Sequence, residues 1–143
     1  MTQSVLPDPS TPFGERTLDR LNTELVIWLT TVGKDGTPQP NPVWFLLEND
    51  SLLIYNRPSA NRITHVKDRP QVALNLDGNG KGGDIVVVTG TASLVDDVPP
   101  CHELPAYLEK YSDNMTRVAG SPENFGAAYP VAMRIAITKV RGH

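Results

Sequence analysis

From Leu25 onward the chain is dominated by short runs in which apolar, β-branched and aromatic residues either alternate with polar ones or fill every position. These are the signatures of half-buried and fully buried strands. LVIWLTTV (25–32) is the first, and GKDG (33–36) after it is a hairpin turn signal. VWFLL (43–47), SLLIY (51–55), QVALNL (71–76) and DIVVVTGTASLV (84–95) follow, the last long enough to bend, with Gly90 marking the bend or bulge. VAMRIAITKV (131–140) closes the series, Met133, Ile135 and Ile137 alternating with Arg134, Ala136 and Thr138. Helical spacing is confined to Glu15–Glu24, where Leu18 and Leu21 lie three apart, to Ser59–Asp68, stopped by Pro70, to His102–Tyr111 and, weakly, to Pro122–Ala128.

Six strands separated mostly by tight turns predict a mainly β (α+β) fold, an antiparallel barrel with short flanking helices rather than a βαβ sheet. Residues 1–14, with Pro7, Pro9 and Pro12, are expected to be a flexible arm, and residues 15–143 a single domain. GNGKGG (78–83) lies between two strands and opens no helix, so it is a hairpin connection and not a dinucleotide or Walker loop.

Composition narrows the function classes. At 143 residues and 39% hydrophobic content the chain can bury one real core, and its net charge of −3 argues against nucleic acid or an anionic membrane as partner. The longest apolar runs fall far short of the roughly 20 residues of a membrane-crossing helix, and no charged-then-apolar leader precedes them, so a cytoplasmic location is expected. The single cysteine, Cys101, excludes an internal disulfide, and with only His102 beside it no metal site is expected. No Ser-His-Asp or paired-carboxylate pattern stands out, and no catalytic residue is assigned.

Two segments carry candidate chemistry. In TPQPNPVWF (37–45), Pro38, Pro40 and Pro42 recur every second residue, and alternate strand residues present their backbone groups to the same edge. One edge therefore keeps carbonyl acceptors but loses its donors. Either the edge is protected against aggregation, or it is left open for something planar that brings its own N–H donors, such as a flavin-like ring. Val43–Leu47 is apolar at every position, so both faces of that strand should be buried, the outer one against a second copy of the chain, unless Trp44 is ordinary core.

The second segment, NRPSANRITHVKDR (56–69), holds Arg57, Arg62, Lys67 and Arg69 against Asp68 alone, a local +3 in an acidic chain. Ser59 is a candidate N-cap, so the start of the helix would offer free N–H groups and a positive dipole end to an anion; the alternative is a merely solvated basic face. On a helix Arg62 and Arg69 would share a line, with His65 beside them.

TPQPNPVWF, LLIYNRPSANRITHVKDRPQVAL, DIVVVTGTASL and the closing VAMRIAITKV together resemble the split β-barrel flavin and deazaflavin oxidoreductases, the pyridoxamine 5′-phosphate oxidase-like proteins, and most of all their coenzyme F-420-dependent actinobacterial branch. The resemblance spans roughly Leu18 to Gly142. It implies an FMN-binding split-barrel fold, a homodimer with the cofactor pocket at its interface, and hydride transfer between F-420 and a small unsaturated or quinone-like molecule. FMN as cofactor, or a binding protein without turnover, is the alternative. It also implies that Pro40, Asn41, Pro42, Val43 and Trp44 run beside the tricyclic ring and that Asn56, Arg57, Ser59 and Arg62 hold the phosphate. Arg62 replaces the family's usual lysine, and His65 stands where asparagine is frequent.

Overall fold

The computed structural model describes residues 5–143; the first four residues of the expected arm lie outside the described residues. Helix α1 (Pro12–Thr23) starts earlier than the leucine spacing suggested, because Thr11 caps it by accepting from the Gly14 N–H at 3.0 Å and Pro12 takes the first helical position, where no N–H is needed. Then come β1 (Ile27–Val32), β2 (Pro38–Val43), β3 (Leu46–Glu48), β4 (Ser51–Asn56), α2 (Asn61–Asp68), β5 (Gln71–Asn75) and β6 (Val86–Val95). A single 3-10 turn (Cys101–Glu103), α3 (Pro105–Ala119), α4 (Pro122–Ala128) and β7 (Val131–Gly142) complete the chain.

Among the described residues the strands form one sheet of seven, in the order β2-β1-β5-β6-β7-β4-β3, with every pairing antiparallel. The expected mainly β class with flanking helices holds; the count of six does not. The single strand expected over 43–47 is divided, Val43 ending β2 and Leu46 starting β3, with Trp44 and Phe45 between them. The proline-bearing segment supplies the additional strand because its prolines cost it only one edge. Gly33 donates to the Thr37 carbonyl at 3.0 Å, which sets the phase of the β1–β2 ladder. Gln39, Asn41 and Val43 then face β1, while Pro38, Pro40 and Pro42 occupy the positions opposite Val32, Thr30 and Trp28 whose backbone points away from it. β2 is an end of the sheet, so among the described residues that outer edge has no neighbouring strand.

β2 and β3 are consecutive in the chain yet stand at opposite ends of the sheet, so the Trp44–Phe45 step joins the two ends and the sheet curls into a barrel. Inside lie Ile27, Leu29, Phe45, Leu52, Val88 and Ile135, all at most 1% exposed. At Gly90 the β6–β7 register shifts, and a Cβ there would come within 2.5 Å of the Ala136 carbonyl oxygen, so the expected bulge requires glycine.

A second cluster lies outside the barrel, where Leu46, Leu53, Tyr55 and Ala132 pack under Tyr107, Tyr111, Met115 and Phe125 of α3 and α4. This corrects the reading of Val43–Leu47. Its outer face is covered by the chain's own helices, which the tyrosine and methionine spacing of α3 (107, 111, 115) places there, and so calls for no second copy.

Candidate functional site

The two sheet ends meet at a seam held by α3. The Phe45 N–H donates to the Tyr111 hydroxyl at 2.9 Å, and that hydroxyl donates to the Leu25 carbonyl at 2.7 Å, so one buried phenol ties the start of β1 to the β2–β3 junction. Lys110 donates to the Phe45 carbonyl at 2.8 Å with its ammonium 3.8 Å from the Phe45 ring centre. Both groups are displaced from their ordinary titration. Burial raises the Tyr111 pKa, and burial lowers that of Lys110 to about 8 against an opposing pull from Glu24.

Trp44, at the seam, belongs to a column of planar groups. Its ring stacks on Tyr111 (4.7 Å between centroids, 5° between planes) and on Phe125 (4.8 Å, 12°), and Phe125 stacks on Tyr129 (4.2 Å, 14°). The Arg57 guanidinium lies 4.7 Å over the Tyr129 ring and ends the column. Beside the column opens a cavity of about 380 Å³, within the range of small-molecule pockets. Pro42, Val43 and Trp44 form one wall, Phe125, Tyr129 and Val118 another, and Arg57, Ser59 and Arg62 the polar end.

Arg62 is the most telling member. Its Nε donates to the side-chain oxygen of Asn56, a fully buried residue whose amide is itself anchored on the Ile54 and Val131 carbonyls at 3.2 and 3.0 Å. Burial lowers the Arg62 pKa, partly countered by Tyr129, but a guanidinium stays charged across the physiological range. Among the described residues no carboxylate lies within 4.0 Å of it. A half-buried, oriented and unpaired cation in a cavity wall is a built receptor for an anion.

Of the residues singled out in the sequence, Pro42, Val43, Trp44, Arg57, Ser59 and Arg62 line this cavity. Pro40 and Asn41 lie further along β2, and Asn56 stands behind Arg62 as its positioner. His65 is turned elsewhere, its Nδ1 2.9 Å from the buried Thr31 hydroxyl, where it links α2 to β1. Two details are corrected. Ser59 is not the N-cap; Arg57–Ala60 forms a turn, and Ala60 takes the cap position without a side-chain bond. Arg69 does not continue the line of Arg62, because the residue before Pro70 leaves the helix and its Nε donates to the Val32 carbonyl at 2.7 Å. The aromatic wall from α4 was not foreseen. Tyr129 had no assigned place and Phe125 was read only as part of a weak helix; nothing local in the sequence shows that Phe125 stacks on a tryptophan some 80 residues away and Tyr129 on Phe125.

The chain belongs to the pyridoxamine 5′-phosphate oxidase family, whose sequence profile matches residues 13–143. No curated protein matches the sequence significantly. Among solved structures, an F420 reductase is similar over 86% of this chain and 94% of its own, with 23% identity and a TM-score of 0.66. General Stress Protein 26 from Bacillus anthracis is similar over 88% of this chain and 89% of its own, with 21% identity and a TM-score of 0.65. The heme storage protein HutZ from Vibrio cholerae is similar over 92% of this chain and 95% of its own, with 11% identity and a TM-score of 0.64. At these identities the likeness is one of fold. Among the described residues no helix is long and apolar enough to cross a membrane.

Proposed function

We propose that the chain is an oxidoreductase that binds coenzyme F-420 in the cavity beside Trp44 and transfers a hydride between it and a small unsaturated or quinone-like molecule. The carrying observation is Arg62, a positioned guanidinium without a carboxylate partner among the described residues, set at one end of an otherwise apolar, aromatic-walled slot. The residues present fit such a cofactor. The cations at Arg57 and Arg62 suit its phosphodiester, and the apolar wall of Pro42, Val43 and Trp44 suits a tricyclic ring. The donor-free edge of β2 offers that ring carbonyl acceptors.

When bound, a deazaflavin supplies the hydride at one ring carbon. The chain's residues then bind, orient and exclude water. Asn56 holds the Arg62 fork in one orientation, which preorganises the phosphate contact. Trp44, Phe125 and Tyr129, stacked in one column, give the cavity its aromatic walls. Burial pushes the Tyr55 phenol up to about 12, and its hydroxyl donates to the Pro99 carbonyl at 2.6 Å.

FMN is the second reading. Withdrawal of Arg69 from the basic line leaves two arginines at the cavity, which suits a single phosphate as well as a phosphodiester. A homodimer is part of the proposal too. Trp28, Thr30, Ala73, Val87 and Thr89 share an outer sheet face, and the apolar ones among them belong to neither core cluster. That face reaches Pro42, a cavity residue paired with Trp28, so a second copy seated on it would border the cavity.

Fluorescence titration of the parent, Arg62→Ala and Arg62→Lys with F-420 and with FMN at two salt concentrations tests the reading. Arg62→Ala should lose about ten- to a hundredfold in affinity, roughly 1.5–3 kcal/mol for a charge-assisted contact, and Arg62→Lys should recover part of it. The parent should weaken as salt rises, with a shallower dependence in the Ala variant. Superimposable curves for parent and Ala variant remove Arg62 from the site, and tighter binding of FMN than of F-420 selects the second reading.

A further inference from the structure

A second cavity, of about 510 Å³, opens on the other side of Tyr55, whose ring lines both. Its walls come from the end of β6 (Leu94, Val95), from Val98, Pro99 and Pro100, and from the start of β7 (Pro130, Val131, Ala132). α4 contributes Gly126, Ala127 and Glu123, and the 3-10 turn contributes His102. The rim is rigid. The Tyr55 hydroxyl donates to the Pro99 carbonyl at 2.6 Å, and Glu103 N–H donates to the Pro100 carbonyl at 2.9 Å. His102 packs closely on Gly126, where a Cβ would stand 2.0 Å from its Nδ1.

The two cavities carry opposite charge. Among the described residues, the first has Arg57 and Arg62 in its wall and no carboxylate, and the second has Asp96 and Glu123 and no lysine or arginine. Its remaining surface is almost all aliphatic side chains and proline rings, which donate no backbone N–H. A preformed apolar cleft with carboxylates at its mouth selects a ligand that is apolar in body and positive at one end. We propose that this cavity is a second binding site, for a small apolar molecule carrying a protonated amine, with Glu123 and Asp96 receiving the ammonium and Leu94, Val95 and Val131 receiving the apolar part. This site is independent of whichever cofactor the first cavity takes.

The experiment is an amide chemical-shift titration of the full chain with phenethylamine, 2-phenylethanol and 3-phenylpropionate, probes matched in ring and chain but positive, neutral and negative. Phenethylamine should give saturable shifts centred on Val95, Ala127 and Val131, with dissociation on the order of 10 mM or tighter for a ligand of that size. The neutral probe should bind several-fold more weakly and the carboxylate not measurably. Glu123→Lys, an exposed change on α4, should abolish the amine's binding, and Ala127→Trp, also exposed, should block all probes. Equal affinity for the three probes overturns the proposal. So do shifts centred on Trp44 and Arg62, saturation that survives both substitutions, or no saturation at all.

Discussion

The outer surface of the barrel has two halves built on similar strands and treated in opposite ways. Over β3, β4 and the start of β7, the helices α3 and α4 bury Leu46, Leu53, Tyr55 and Ala132. Over β2, β1, β5 and the first part of β6, Trp28, Thr30, Ala73 and Val87 stay partly exposed. The covered half carries mainly large apolar side chains; the bare half mixes Trp28 and Val87 with threonines, an alanine and three edge prolines. The first cavity lies at the boundary, where the covered half supplies its aromatic wall and the bare half ends at Pro42. A site placed there draws rigidity from the helices and can draw a further wall from whatever covers the bare face.

Removing the phenol that ties the halves together should have the largest effect. Tyr111→Ala deletes a fully buried ring stacked on Trp44 and leaves the Phe45 N–H without its partner. A loss of about 3–5 kcal/mol is expected in urea unfolding. Tyr111→Phe keeps the stack and should lose less, about 1–3 kcal/mol, and equal losses would mean that the hydroxyl, not the ring, holds the seam.

The bare half should respond in assembly rather than in folding. Ala73 lies between Thr30 and Thr89 in the middle of that face, so Ala73→Glu places a charge at its centre. Light scattering of the parent should report about twice the 15.6 kDa chain mass and that of the variant about the chain mass itself. Stability per chain should change by no more than about 1 kcal/mol. A parent that is monomeric at micromolar concentration refutes the dimer.

Lys110 should give the smallest effect, visible through pH. Its pKa falls from the ordinary 10.5 to about 8 in the folded chain, so between those values the unfolded state holds more protons. Its contribution therefore makes stability rise with pH through that window, the charged form being penalised fully below about 8 and not at all above about 10.5. Parent stability should gain on Lys110→Met as pH increases from 8 to 10, and a pH-independent difference between the two would show that the amine is not desolvated.

Much of this was legible in the residues themselves. Alternating and fully apolar runs located five of the seven strands, the bounds of α4 matched the weak helical signal, Gly90 marked the bulge, and proline chemistry stripped one edge of β2 of its donors while leaving the other to pair. These features are local, set by backbone geometry and by neighbours a few positions away. Of the candidate site, the basic turn and the Pro42–Trp44 wall were readable because charge and backbone donors are properties of single residues.

Tertiary structure alone decided what covers Val43–Leu47. The tie between Tyr111 and Phe45 spans 66 positions and that between Tyr111 and Leu25 spans 86, and no local pattern encodes such a contact. It also separated Arg62, held by Asn56 at the cavity, from Arg69, spent on a β1 carbonyl once Pro70 ended the helix. An apolar run states that both its faces must leave water, but whether the chain's own helix or another molecule covers them depends on the packing of elements distant in sequence.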